Sequence, residues 1–361
     1  MKYKTLFIIV LLVLTSCNKS EEESYIPYQT TAYDLSIPAH FANKLPNPVI
    51  PNNNPLTIEG IALGKKLFYD PILSADGTQS CATCHKIANG FSDNTAFSLG
   101  VDGLAGDRNA MPLFNLAWNV SDKFFWDGRS LGLETQAEEP VTNPIEMHNT
   151  WQVAVESIMS SANYQELFNK AFPLQTNVNT NITKELVTKA IAQFERTLIS
   201  ANSKYDKYIK NEVELTADEL EGKAIFNDER GDCFHCHGTD DNNPLFTDNS
   251  FRNNGLDNVF ADLGLETVTG NPQDKGKFKV PSLRNLAFTA PYMHDGRFAT
   301  LDDVINHYSE NLVNSPTIDS QMLFIADGGT QMTPTEKMQL KAFLLTLTDD
   351  DFIVNPNFTN N

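Results

Sequence analysis

Positive charge is in short supply in this chain: over 361 residues, 27 Lys and Arg face 46 Asp and Glu, for a net charge of −19. A protein that grips a phosphate backbone needs a basic face, so nucleic acid is not an expected partner. Long hydrophobic runs are missing too. A membrane-spanning helix takes about 20 apolar residues, and the apolar run from Leu6 to Leu14 is too short for one. Cysteine is scarce, with five in the chain, and each falls in a motif. The acidic balance suits a soluble body, and it is also the sign of charge that would attract a basic partner protein.

Lys2 and Lys4 ahead of that apolar run give the layout of a cleaved export signal. Leu14-Thr15-Ser16-Cys17 resembles the bacterial lipoprotein box, in which the cysteine becomes the lipid-bearing first residue of the mature chain. Residues 1–17 are therefore expected to be a lipoprotein signal peptide. The protein is expected to be periplasmic, touching a membrane only through its lipid anchor. Residues 18–55 hold Glu21, Glu22 and Glu23 and the prolines 46, 48, 51 and 55; this composition cannot fold alone and reads as a tether with some ordered contacts. The remaining residues, about 300, exceed what one hydrophobic core usually organises, so two domains are expected.

The other four cysteines lie in Cys81-Ala82-Thr83-Cys84-His85 and Cys233-Phe234-His235-Cys236-His237. Cys-x-x-Cys-His is the attachment sequence of c-type haem. Two thiols add across the porphyrin vinyl groups, and the adjacent histidine reaches the iron as proximal ligand. A thioredoxin-like pair or a shared zinc site accounts less well for the pattern, because neither requires a histidine after both pairs and no βαβ pattern surrounds them. His235, between the second pair, reads as a filler position.

The chain repeats itself around these motifs. Gly64-Lys65-Lys66-Leu67-Phe68-Tyr69-Asp70 precedes the first, and Gly222-Lys223-Ala224-Ile225-Phe226-Asn227-Asp228 the second. Phe91-Ser92-Asp93 is matched by Phe246-Thr247-Asp248, and Trp126-Asp127-Gly128-Arg129 by His294-Asp295-Gly296-Arg297. Apolar spacing predicts helices over Glu59 to Phe68, residues 150–170, Ile182 to Ile209 and Thr333 to Leu347. Thr216, with Glu219 three residues on, begins a helix to Phe226 with a capping box. The fold class is mainly α, two tandem cytochrome c-like haem domains with long loops: 56–212 and 213–350, with a tail at 351–361.

These residues resemble the bacterial di-haem cytochrome c peroxidases and their relatives, including the di-haem enzyme of methylamine utilisation. The resemblance runs from about Leu56 to near Thr348. Besides the two haem motifs it rests on Arg108-Asn109, Phe125-Trp126-Asp127-Gly128-Arg129, Pro144-Ile145-Glu146-Met147, Phe194-Glu195-Arg196-Thr197, Pro281-Ser282-Leu283-Arg284-Asn285 and Pro291-Tyr292-Met293-His294-Asp295-Gly296. It implies two covalently bound haem c groups with His85 and His237 as proximal ligands, and hydrogen peroxide reacting at the first. Electrons reach it from the second, with Trp126 as relay. Glu146 would stand on the peroxide side as acid and base, and Gln136 would orient peroxide. The resemblance also implies a calcium ion held between the domains by Asn109, Thr289 and Pro291, and a homodimer.

Two positions depart from the family pattern. Where many members carry a second histidine on the peroxidatic iron, this chain has Val101, and no histidine lies in the loop from Phe97 to Asn109; the first iron is expected to be five-coordinate or water-bound at rest. Where the peroxidases have a methionine on the second iron, this chain has Tyr308, as in the methylamine-utilisation relative, with Met293 and His307 as rival ligands. The leading expectation is a peroxidase that reduces hydrogen peroxide to water with electrons from a small c-type cytochrome or copper protein. One rival is an oxidase that uses peroxide to oxidise a partner protein or organic molecule. The other is a non-catalytic electron-transfer cytochrome, which needs both irons closed by protein ligands and is disfavoured by Val101.

Overall fold

A computed structural model describes residues 28–174, 179–239 and 242–360. The expected signal peptide, Cys17 and the acidic start of the tether lie outside them. Among the described residues no helix is long and apolar enough to cross a membrane. The chain is predominantly helical, with two small antiparallel pairs of strands: Lys123–Phe124 against Ser130–Leu131, and Phe251–Arg252 against Phe278–Lys279.

Threonines start the four main helices. Thr57, Thr183, Thr216 and Thr333 each sit in extended backbone and accept an N–H of the first turn of Ile58–Tyr69, Lys184–Arg196, Ala217–Phe226 and Pro334–Leu345 respectively, satisfying a donor the helix itself cannot. Thr216 and Glu219 form the expected capping box, and Thr333 with Glu336 forms another.

The sequence repeat has a physical counterpart in how these helices cross. Ile58–Tyr69 packs on Lys184–Arg196, and Ala217–Phe226 packs on Pro334–Leu345. At each crossing the repeated glycine lies directly on its partner's backbone. A Cβ on Gly64 would stand 1.8 Å from the Ala190 carbonyl oxygen, and one on Gly222 would stand 1.9 Å from that of Gln339. Around the first crossing Leu63, Leu67, Phe168, Val187 and Ile191 form one core; around the second, Ile225, Phe226, Phe246, Leu340 and Phe343 form another.

Two expected helices are each divided in two. Ile182 to Ile209 is Lys184–Arg196 followed by Lys204–Ile209. Between them the Asp349 carboxylate accepts hydrogen bonds from Ser200 Oγ and from the backbone N–H groups of Ala201 and Asn202 at 2.9–3.0 Å, which gives those donors a partner other than a helix turn. Ser203 then starts the second helix by a capping box with Asp206. Residues 150–170 separate into Trp151–Met159 and Ala162–Ala171, where Ser161 is extended.

The ends of the described chain are bound to the body. Leu35 and Phe41 pack with Trp118 and Leu245, and His40 pairs with Asp206 at 3.0 Å. Asp206 also holds the fully buried Arg284 through two oxygens at 2.6 and 2.8 Å; that guanidinium keeps its carboxyl far below the usual range despite burial. Phe352 and Phe358 complete an aromatic cluster with Phe68, Phe91, Phe114 and Phe194 in the first half.

Candidate functional site

Each Cys-x-x-Cys-His motif coils into one helical turn, Cys81–Cys84 and Phe234–His237, and presents its last histidine to a cavity. The two rings are held by the same device. His85 Nδ1 donates to the Phe91 carbonyl and His237 Nδ1 to the Phe246 carbonyl, both at 2.9 Å. A carbonyl only accepts, so Nδ1 carries the proton and Nε2 is left as a ligand atom. Phe91 and Phe246 have φ of 58° and 52°, and their fully buried rings hold that left-handed turn in place. Burial pushes the pKa of both histidines down, which keeps them in the neutral form that binds metal.

The first cavity, about 220 Å³, is bordered by Cys84, His85, Trp126, Gln136 and Glu146, and His85 is the sole histidine among its described lining residues. The second, about 190 Å³, is bordered by Cys233, Cys236, His237, Met293 and Tyr308. A smaller pocket of about 60 Å³ shares Cys84, His85, Gln136 and Glu146 with the first and adds Cys81 and Glu195. Trp126 lines both large cavities, and its indole Nε1 donates to the Asn109 carbonyl at 2.8 Å.

Glu146 is anchored by Asn143 Nδ2, which donates to Oε1 at 2.7 Å. Burial raises its pKa, with Asn143 and Arg129 opposing the shift. The Val101 N–H donates to the Glu146 carbonyl at 2.9 Å, and Asp102 pairs with His148. The loop that carries Val101 is thus tied twice to the loop that carries Glu146, and Val101 itself does not line the first cavity. Gln136 has a buried Oε1 without a partner.

At the second cavity Asn254 Nδ2 donates to Tyr308 Oη at 2.9 Å and lies 3.6 Å from Met293 Sδ. Burial pushes the Tyr308 phenol up, and the Asn254 contact pulls the other way. His307 is directed elsewhere: its Nε2 lies 3.1 Å from the Asn254 carbonyl, and it does not line the cavity. Asn109, Thr289 and Pro291 share the wall of this cavity. The Asn109 amide nitrogen is spent on the Thr95 and Ala96 carbonyls, which turns its Oδ1 the other way. His235 pairs with Asp232 at 2.6 Å and does not face the cavity.

Two buried residues of these walls were not singled out from sequence. Glu195, 3% exposed, has an unpartnered Oε2; its only signal was its place in the Phe194 to Thr197 segment. Lys279, 8% exposed, faces both large cavities, and nothing in its sequence neighbourhood set it apart.

The second cavity is bordered by the thiol pair Cys233 and Cys236, the first by Cys84 with Cys81 in the small pocket that adjoins it, and each by an imidazole with a free Nε2; this arrangement fits two covalently attached c-type haems. Neither thiol pair is closed as a disulfide. Fold and site together define a di-haem c-type redox protein. A family model for di-haem cytochrome c peroxidase matches residues 58–214. The methylamine utilization protein MauG of Methylorubrum extorquens is 37% identical over 310 residues, 82% of this chain and 80% of that protein. The cytochrome c551 peroxidase of Nitrosomonas europaea is 36% identical over 293 residues, 80% of this chain and 79% of its own. Among solved structures, a MauG-like protein associated with microbial copper homeostasis superposes with a TM-score of 0.79 at 34% identity, covering 91% of this chain and 99% of its own. The chain belongs to the di-haem cytochrome c peroxidase family, and it is a peroxide oxidoreductase.

Proposed function

We propose that this protein reduces hydrogen peroxide to water in the His85 cavity, with electrons delivered by a small periplasmic c-type cytochrome or copper protein and passed on from the His237 cavity. The observation that carries this reading is the shared wall: Glu146 and Gln136 border the same cavity as His85, the described lining residues offer no second imidazole, and Trp126 borders both cavities. Cys81, Cys84 and His85 would hold the haem, which when bound would supply an iron site for peroxide and the electrons for O–O cleavage. Breaking that bond to give water needs a proton moved from one oxygen to the other. Glu146 suits the task, because Asn143 fixes Oε1 and leaves Oε2 to take the proton and return it. The amide of Gln136 can donate to a bound oxygen. The indole of Trp126 joins the two sites.

A second reading, an oxidase that uses peroxide to oxidise a partner protein or organic molecule, is favoured by Tyr308, whose phenolic oxygen is the ligand type that stabilises oxidised iron. Asn109 Oδ1 and the backbone oxygens of Thr289 and Pro291 are an oxygen-rich set suited to calcium. The lipoprotein-like N-terminus supports a periplasmic protein tethered through Cys17, and the family resemblance supports a homodimer.

Replacing Glu146 with Gln tests the central role. Both haems should remain bound, and the reaction with peroxide should slow by roughly 10²–10⁴-fold. A variant that reacts at the wild-type rate would remove Glu146 from the mechanism.

A further inference from the structure

Among the described lining residues of the two large cavities, Lys279 is the lysine or arginine without a carboxylate partner. The other basic side chains on their described walls already have carboxylates. Arg108 pairs with Asp127 and Asp262 at 2.6 and 2.7 Å, Arg129 with Asp127 and Glu139 at 3.3 and 2.7 Å, and Arg252 with Asp248 and Asp319 at 2.8 and 3.1 Å. Lys279 Nζ has neutral partners at longer range, Asn119 Oδ1 at 3.3 Å and the Asn249 carbonyl at 3.4 Å, and it lies 5.6 Å from the centre of the Phe251 ring. Its backbone is fixed, since its N–H donates to the Trp126 carbonyl at 2.8 Å. Burial pulls its pKa down to about 8; Asp248 opposes this and Lys123 adds to it.

A buried ammonium without an anion is costly, and the cost is relieved when an ionised partner with good hydrogen bonds is brought to it. The seam that Lys279 faces opens into both cavities beside Trp126. A haem brings carboxylates of its own, the two propionates, to the cavity that encloses it. We infer that Lys279 binds a haem propionate at the seam between the two cavities, and so fixes both the seating of that haem and the charge next to Trp126. This rests on the di-haem reading and adds to it a binding residue outside the Cys-x-x-Cys-His motifs.

The test uses the mature di-haem protein with Lys279→Met and Lys279→Arg, read by haem content, by the midpoint potential of each haem and by the pH dependence of those potentials. Lys279→Met should lower the potential of one haem, because the uncompensated carboxylate favours ferric iron. It should also move that haem's redox-linked protonation to higher pH. Lys279→Arg should keep wild-type values. Potentials and pH dependence unchanged in Lys279→Met would overturn the inference. If Lys279→Met loses a haem, Lys279→Arg decides: two haems at wild-type potentials support the inference, and a lost haem there overturns it. A wild-type protein with fewer than two haems would instead refute the di-haem reading.

Discussion

Asn254 Nδ2 donates to the phenolic oxygen of Tyr308 at 2.9 Å, and the same nitrogen lies 3.6 Å from Met293 Sδ. One amide therefore touches both candidate sixth ligands of the second iron, and it holds the oxygen more closely than the sulfur. A phenolic oxygen on iron favours the ferric and higher states, whereas a thioether raises the potential. Tyr308→Phe should raise the midpoint potential of the second haem, and Tyr308→Met should raise it further. Spectroelectrochemical titration reads both variants; a Tyr308→Phe protein with unchanged potential and spectrum would give the ligand role to Met293.

The raised pKa of Glu146 predicts an acid limb in the peroxide reaction. Burial disfavours the carboxylate, so the form able to accept a proton is lost, as pH falls, at a pH above the ordinary carboxylate range. Stopped-flow rates across pH should show this limb in the wild-type protein and none in Glu146→Gln. An identical limb in the variant would assign the titration to another group.

Glu195 predicts a stability effect of opposite character. Burial, helped by the charge of Glu134 and opposed by Arg196, raises its pKa from 4.5 to about 8. A group whose folded pKa exceeds its unfolded one contributes stability that is full below the unfolded value and is lost as pH rises through the folded value. Glu195→Gln cannot ionise, so it should flatten the decline between these two pH values, which at ~1.4 kcal/mol per pKa unit amounts to about 5 kcal/mol at most. Thermal melts of the holoprotein at several pH values check this; parallel wild-type and variant curves would show that Glu195 does not titrate there.

At the helix crossings, alanine at Gly64 or Gly222 would press a methyl group onto the carbonyl oxygen of Ala190 or Gln339. The helix-propensity gain of alanine, roughly 0.5–1 kcal/mol, is smaller than the cost of overpacking, about 1–3 kcal/mol or more when the neighbour is backbone. Each substitution should lower stability in denaturant unfolding. A neutral result at both positions would mean that the crossings can separate without penalty.

The sequence displays its chemistry more openly than its packing. The thiol–thiol–histidine spacing, the paired glycines and the paired aromatic-polar-acid triplets are local patterns, and the structure gives each pair matching work: Gly64 with Gly222 at the helix crossings, Phe91 with Phe246 as carbonyl acceptors for the histidines. Long-range partners are not visible to local periodicity. The apolar spacing from Ile182 to Ile209 reads as one helix because nothing nearby announces that Asp349, far along the chain, will take the N–H groups of Ala201 and Asn202. Phe41, Phe352 and Phe358 sit in stretches that look polar and loose, yet their rings fill gaps in clusters assembled from distant segments. Lys279 is a lysine in a run of ordinary composition, and its burial between two cavities is a property of the tertiary fold.

Peroxide reduction in the His85 cavity requires that the first iron keep one face free of protein ligands, beside the loop in which Val101 is tied by its backbone to Glu146. Electron paramagnetic resonance of the fully oxidised protein measures this directly. One high-spin haem beside one low-spin haem is the predicted spectrum; two low-spin haems would show the first iron closed on both faces and would contradict the account.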